Sequence, residues 1–307
     1  MDSTATAPPT SCRPSANYSL CKRAVWRSKR LQSALRPPSS SVNQESLPAS
    51  WRGLTAVTNP TLRAAIVEAA TSTWKCSVRW GMTWIDLGDP VPRSTPERYT
   101  PIDWRVGEVH QLPTPTQALD RPFGEVLDTR ATHRTFGVVD DEQLGAFLWS
   151  TCRTRGSAAS HLGFDLEHRA APSAGATHPV HVVVSRPADR RWWLYQPGQH
   201  RLAELKDADV VLAGLYELSL QVLAGGDATR LLLLAEPGKT LGKYQNGCSL
   251  VWRDAGVLLG VMSLTAAAQG LHFCPLGITG DPWARALADQ GQLAGVGLAL
   301  LGTATGA

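Results

Sequence analysis

Apolar residues are spread unevenly along this chain. Before residue 48 they follow neither a two-residue nor a helical period, and Ser, Pro, Ala and Arg dominate. Such a stretch cannot bury enough apolar surface to offset its chain entropy, so residues 1–48 are expected to be a disordered basic tail. Asn59-Pro60 followed by TLRAAIVEAA predicts a capped helix with proline at its first position. From residue 121 the patterns sharpen. Asp140-Asp141-Glu142 sets a cap and acids ahead of Leu144, Phe147, Leu148 and Cys152, which recur at helical spacing. Val180–Ser185 and Trp192–Tyr195 read as strands, with a Pro-Gly turn at 196–199. Residues 207–224 read as a helix and RLLLLA (230–235) as a fully buried strand. LVWRDAGVLLGVMSLTAAAQ reads as a long helix that stops at Gly270 and is apolar almost all round. That helix is expected to be buried, inside a protomer or between two. Its apolar stretch after Asp254 falls short of the ~20 residues a membrane span needs, so no membrane role is expected. LAGVGLALLG reads as a further buried strand. Helices and strands intermix without regular strand–helix–strand alternation, which predicts a layered α+β fold.

Composition adjusts this picture in two places. The 307 residues carry a net charge of +4, but residues 1–44 hold seven of the 30 Lys/Arg and one of the 26 acids. The body of the chain is therefore slightly acidic, and a nucleic-acid partner is excluded. Six cysteines are scattered without a CxxC pair, which suits reduced thiols and a cytoplasmic protein. His272 and Cys274 stand two apart with no second ligand pair, so no metal site is expected. Six of the eleven tryptophans, Trp74, Trp80 and Trp84 among them, lie before residue 110. Residues 49–120 are accordingly expected to be a Trp-rich extension that packs on something, and 121–307 the main domain.

Several templates can be set aside. LLLLAEPGKT ends like a P-loop, but the glycine required five positions before Gly238 is Leu233. Gly295-Val-Gly297 has no helix after it and lacks a third glycine in register, so it reads as strand packing. Neither GxSxG nor HExxH occurs. Three motifs remain. In APSAGATHPVHVVV, residues 171–184, almost no side-chain bulk precedes a strand. That is either an ordinary turn or a place where backbone meets a flat ligand. In TRATHRTFG, Arg130, Thr132 and Arg134 alternate, as solvated surface or as two cations and a hydroxyl aimed one way. Lys243-Tyr244 precede the long helix, as an exposed and a packed residue or as a base and its partner.

The order of these pieces, RATHRTF, PSAGATHP, KYQN before an apolar helix, then GLHFCPLGITGDP, resembles the nitroreductase superfamily of FMN-dependent oxidoreductases. Within it the match is to the SagB-type dehydrogenases, which oxidise azolines to azoles in ribosomally made peptides. The resemblance covers about residues 121–302. It implies an α+β homodimer with the 249–269 helix at the subunit interface and FMN shared between protomers. It also implies roles. Arg130 and Thr132 would hold the FMN phosphate, and Arg134 the edge of the ring that gains negative charge on reduction. Pro172, Ser173, Ala174 and Gly175 would lie against the ring, and Leu276-Gly277 would face the atom that receives hydride. Lys243 and Tyr244 would be catalytic, a base being needed to take the carbon-bound proton. A cyclodehydratase is an expected partner. The alternatives are an NAD(P)H-dependent nitro or quinone reductase and a flavin-free peptide-binding pseudoenzyme. Many relatives carry a Lys or Arg near the end that helps hold the phosphate; this sequence reads GTATGA there.

Overall fold

The computed structural model describes residues 88–288 and 292–305. The basic tail, the capped helix after Pro60, and Trp74, Trp80 and Trp84 lie outside the described residues. In chain order the elements are β1 (Val91–Pro92), β2 (Val106–Gln111), α1 (Phe123–Thr129), α2 (Asp141–Cys152), β3 (Gly156–Ala158), β4 (Leu166–His168) and a 3₁₀ turn (Ala174–Ala176). There follow β5 (Val180–Ser185), β6 (Trp192–Gln196), β7 (Arg201–Leu205), α3 (Ala208–Val222), β8 (Thr229–Ala235) and α4 (Pro237–Leu241). The last are β9 (Tyr244–Gln245), α5 (Cys248–Ala268), β10 (His272–Leu276), α6 (Asp281–Leu287) and β11 (Ala294–Gly302).

A seven-stranded sheet in the order β10-β11-β8-β5-β6-β7-β2 organises the fold, with every pair antiparallel. β8 shows why its sequence is a continuous apolar run. Leu231, Leu233 and Ala235 pack with Leu144 and Phe147 of α2 and Val251 and Ala255 of α5. Leu232 and Leu234 point the other way, against Val211, Leu212 and Leu215 of α3 and Ala284 of α6. The alternation of a strand thus feeds two apolar layers, and each buried leucine contributes roughly 2 kcal/mol. The result is an α+β sheet with helices on both faces. α2 begins on a capping box, in which Asp140 accepts from Gln143 N–H and the Gln143 side chain accepts from Asp140 N–H.

Two glycine motifs serve packing. A Cβ on Gly295 would collide with the backbone of Thr279, Gly280 and Asp281 at the start of α6. Gly-Lys-Thr forms part of the single-turn helix α4, and Lys239 is buried there rather than open to a phosphate. By length and composition alone α5 could cross a membrane, yet a third of its most apolar window is buried in this fold and Asp254 lies within it. Its outer surface shows Trp252, 50% exposed, and Val257, 39% exposed.

Candidate active site

The small-residue turn answers to two demands. Gly175 sits in the left-handed region, at φ 60° and ψ 24°, where an L side chain is strained. A Cβ there would also lie 2.6 Å from Lys243 Nζ and 2.7 Å from Tyr244 Oη. Only glycine meets both conditions. Ala176 and His178 also have positive φ, 59° and 40°, so the turn stays in an uncommon conformation that its surroundings must hold.

Asp254 of α5 provides much of that hold. Its carboxylate accepts from Ser173 Oγ at 2.6 Å and from Ala174 N–H at 3.1 Å, while Ser173 Oγ accepts from His178 N–H at 3.0 Å. Burial pushes the Asp254 carboxyl up from its ordinary range, and the two donors offset part of that. On the other side of the turn, Lys243 Nζ donates to Gly175 C=O at 3.0 Å. Ser173 is thus turned into the protein, and the Lys-Tyr pair closes over the next residue but one. Beneath the turn lies a cavity of about 30 Å³, lined by Ser173, His178, Asp254, Arg169 and Cys152 among others, about the space of one water. Burial and the Arg169 charge lower His178 to about 4, and burial pushes the Cys152 thiol up to about 11.

Arg130, Thr132 and Arg134 stand elsewhere. Arg130 ends α1, and the segment after it runs along the outer side of β10: His133 N–H donates to Phe273 C=O and His272 Nδ1 bonds Thr135 C=O at 2.6 Å. All three side chains are exposed, and neither guanidinium has a hydrogen bond or ion pair among the described residues. His133 stacks on His272 with ring centroids 3.8 Å apart. The Cys274 thiol is raised by burial, and Arg134 counters it. Leu276 closes β10 half-buried, and at Gly277 a Cβ would meet nothing within 4 Å.

The eleven residues singled out from the sequence therefore form two groups. Pro172, Ser173, Ala174, Gly175, Lys243 and Tyr244 meet around one turn. Arg130, Thr132, Arg134, Leu276 and Gly277 follow β10. β11 and β8 lie between β10 and the strand that follows the turn, a spacing of about 14 Å, and no hydrogen bond joins the groups among the described residues. Asp254 is not among the residues that the sequence singles out for the site. Its one signal is that it is the only acid in a helix whose only other charge is Arg253. A larger cleft of about 490 Å³ between residues 113–119 and α2 holds none of the eleven.

The model of the nitroreductase family matches residues 127–296, more than half of the chain. This chain belongs to the nitroreductase family. Among solved structures it is similar to a protein named as a nitroreductase from Ralstonia eutropha JMP134, at 22% identity and TM-score 0.50, over 71% of this chain and 99% of that one. A second protein so named, from Anabaena variabilis, shares 19% identity over 65% of this chain and 39% of its own, with TM-score 0.47. The Escherichia coli microcin synthetase McbBCD complex, with truncated pro-MccB17 bound, aligns over 93% of this chain and 94% of the matched chain, at 13% identity and TM-score 0.42. No curated protein matches.

Proposed function

We propose that this chain is an FMN-dependent oxidoreductase that oxidises azolines to azoles in a ribosomally made peptide. The observation that carries the reading is the convergence of Lys243 Nζ and Tyr244 Oη on the Gly175 backbone. Their place at a glycine turn supports a base held beside a flat cofactor. The chemistry of the other residues fits FMN. Arg130 and Thr132, exposed and without ion pairs among the described residues, suit a phosphate dianion, and Arg134 suits the anionic edge of a reduced ring. Pro172–Gly175 offer a face with little side-chain bulk, and Gly277 leaves its backbone open.

Bound FMN would supply the two-electron acceptor for the substrate's hydride. The protein's part is to remove the proton. The amine of Lys243 takes it from the azoline carbon, while the Gly175 carbonyl fixes the direction of that amine. Tyr244 Oη, on the same side of the turn, orients Lys243 or the substrate. Because the two groups stand strands apart in one chain, a second copy completes the site: one protomer supplies the arginines and the other the turn. The outward face of α5, with Trp252, Gly256, Val257 and Gly260, is the surface assigned to that homodimer. An azoline is the product of a cyclodehydratase, which makes such an enzyme the matching cytoplasmic partner.

Flavin content tests the reading. Purified protein should be yellow and release FMN on denaturation, and Arg130→Ala should lose FMN while keeping its melting transition. Colourless protein that ignores added FMN defeats the proposal. Rapid flavin reduction by NAD(P)H with turnover of nitroaromatics, and none of azolines, replaces the dehydrogenase with a general reductase.

A further inference from the structure

The segment from Val91 to Trp104 precedes the family-matched span, and it lies along the stretch that carries Lys243 and Tyr244. β1 pairs antiparallel with β9, setting Pro92 opposite Tyr244 and Val91 opposite Gln245. Arg93 N–H donates to Lys243 C=O at 2.9 Å, and Glu97 N–H donates to Gly242 C=O at 2.8 Å. The Arg93 guanidinium donates through Nε to Leu241 C=O at 2.7 Å and pairs with Glu97 at 2.6 Å. Every residue from Leu241 to Gln245 thus meets this segment, Leu241 through the Arg93 side chain and the others through a backbone bond or a ladder position.

The body of the protein is shaped to receive it. A Cβ on Gly238 would enter the Tyr99 ring, one on Gly242 would come within 2.7 Å of Glu97 C=O, and one on Gly163 would strike Tyr99 C=O. The far end is anchored on a buried carboxylate. Glu236 accepts from Ile102 N–H at 2.7 Å and from His181 Nε2 at 2.9 Å, and Trp104 packs edge-on against His181. Pro92, Pro96 and Pro101 restrict the segment's own backbone, which lowers the entropy lost when it docks.

We infer that residues 91–104 are a positioning strap for the catalytic pair, with Arg93 as its principal positioning residue. The inference rests on Lys243 and Tyr244 being that pair. The strap holds the backbone on both sides of Lys243, so that Nζ reaches Gly175 C=O and the amine keeps one direction. The family-matched span, without residues 91–104, lacks those bonds.

Acetylation by acetic anhydride, read by peptide mass spectrometry on the full chain, tests this at single lysines. Lys206 is the exposed reference and Lys239 the buried one. Arg93→Ala should raise acetylation of Lys243 about fivefold relative to Lys206, the population change for losing one hydrogen bond, with Lys239 unchanged. Glu97→Ala, at an exposed side chain where loss of fold is not at issue, should raise it about twofold. Arg93→Lys, which can still donate to Leu241 C=O, should restore most of the protection. Unchanged Lys243 labelling in both alanine variants overturns the inference. So does a parallel rise at Lys239, which would mean general loosening. Substrate turnover surviving in Lys243→Ala would remove the base assignment and leave the labelling result standing, so the two failures are separable.

Discussion

Lys243 and Asp254 both bond to the turn that holds Gly175, each at a different atom. Lys243→Ala should keep FMN and fold yet lose azoline oxidation by about 10²–10⁴-fold, the usual span for a general base, as measured by product formation at equal flavin content. Equal turnover in the two proteins would return Lys243 to a packing role. Gly175→Ala meets both a positive φ and the ends of Lys243 and Tyr244, so it should cost about 1–2 kcal/mol in denaturant unfolding. Asp254→Ala leaves the Ser173 hydroxyl and the Ala174 amide without their acceptor, and should cost roughly 2 kcal/mol. The glycine could be read from sequence, because a run of tiny residues before a strand has few explanations. Asp254 could not. An acid within an apolar helix shows that something pairs with it, but the partner is eighty-one residues away in sequence.

Among the elements, legibility followed burial. β5, β8 and β11 are buried along almost their whole length and appear as plain apolar runs. β2 and β10 are not legible in the sequence, for the opposite reason. β2 is an edge strand with no buried residue, and β10 has Pro275 near its end, so neither shows a two-residue period. The short partner of β9 was equally silent, since two residues carry no period at all. α5 was readable as a long apolar helix, and its outward face is now specified by Trp252 and Val257. Val257→Glu should convert the proposed dimer to monomer and lower flavin retention with it, measured by light scattering together with FMN absorbance. A dimer that survives the charge places the contact on another surface.

For the whole molecule, buried neutral histidines set the acid limit. His178 is held at about 4 against an ordinary 6.5, and burial also lowers His181 and His200. The unfolded chain takes up protons at these histidines before the folded one does, so their contribution to stability is full above pH 6.5 and falls as the pH drops toward 4. His178 alone should account for roughly 3 kcal/mol over that interval. His178→Asn, which tolerates the positive φ, should flatten the pH dependence in urea unfolding from pH 7.5 to 4.5. An unchanged slope would assign the acid sensitivity to other groups. The layered α+β plan was legible because the strongest apolar runs were also its central strands, whereas the strap was not, since its sequence of prolines and charges resembles an ordinary linker. Its pairing also governs the order of assembly. β5 and β6 close across a short turn, while Val91 must find Gln245 across more than half of the described chain. Such distant closures come late in folding. In a refolding time course, amide protection in β5, β6 and β8 should therefore mature first, and Lys243 should become shielded from acetylation later than Lys239.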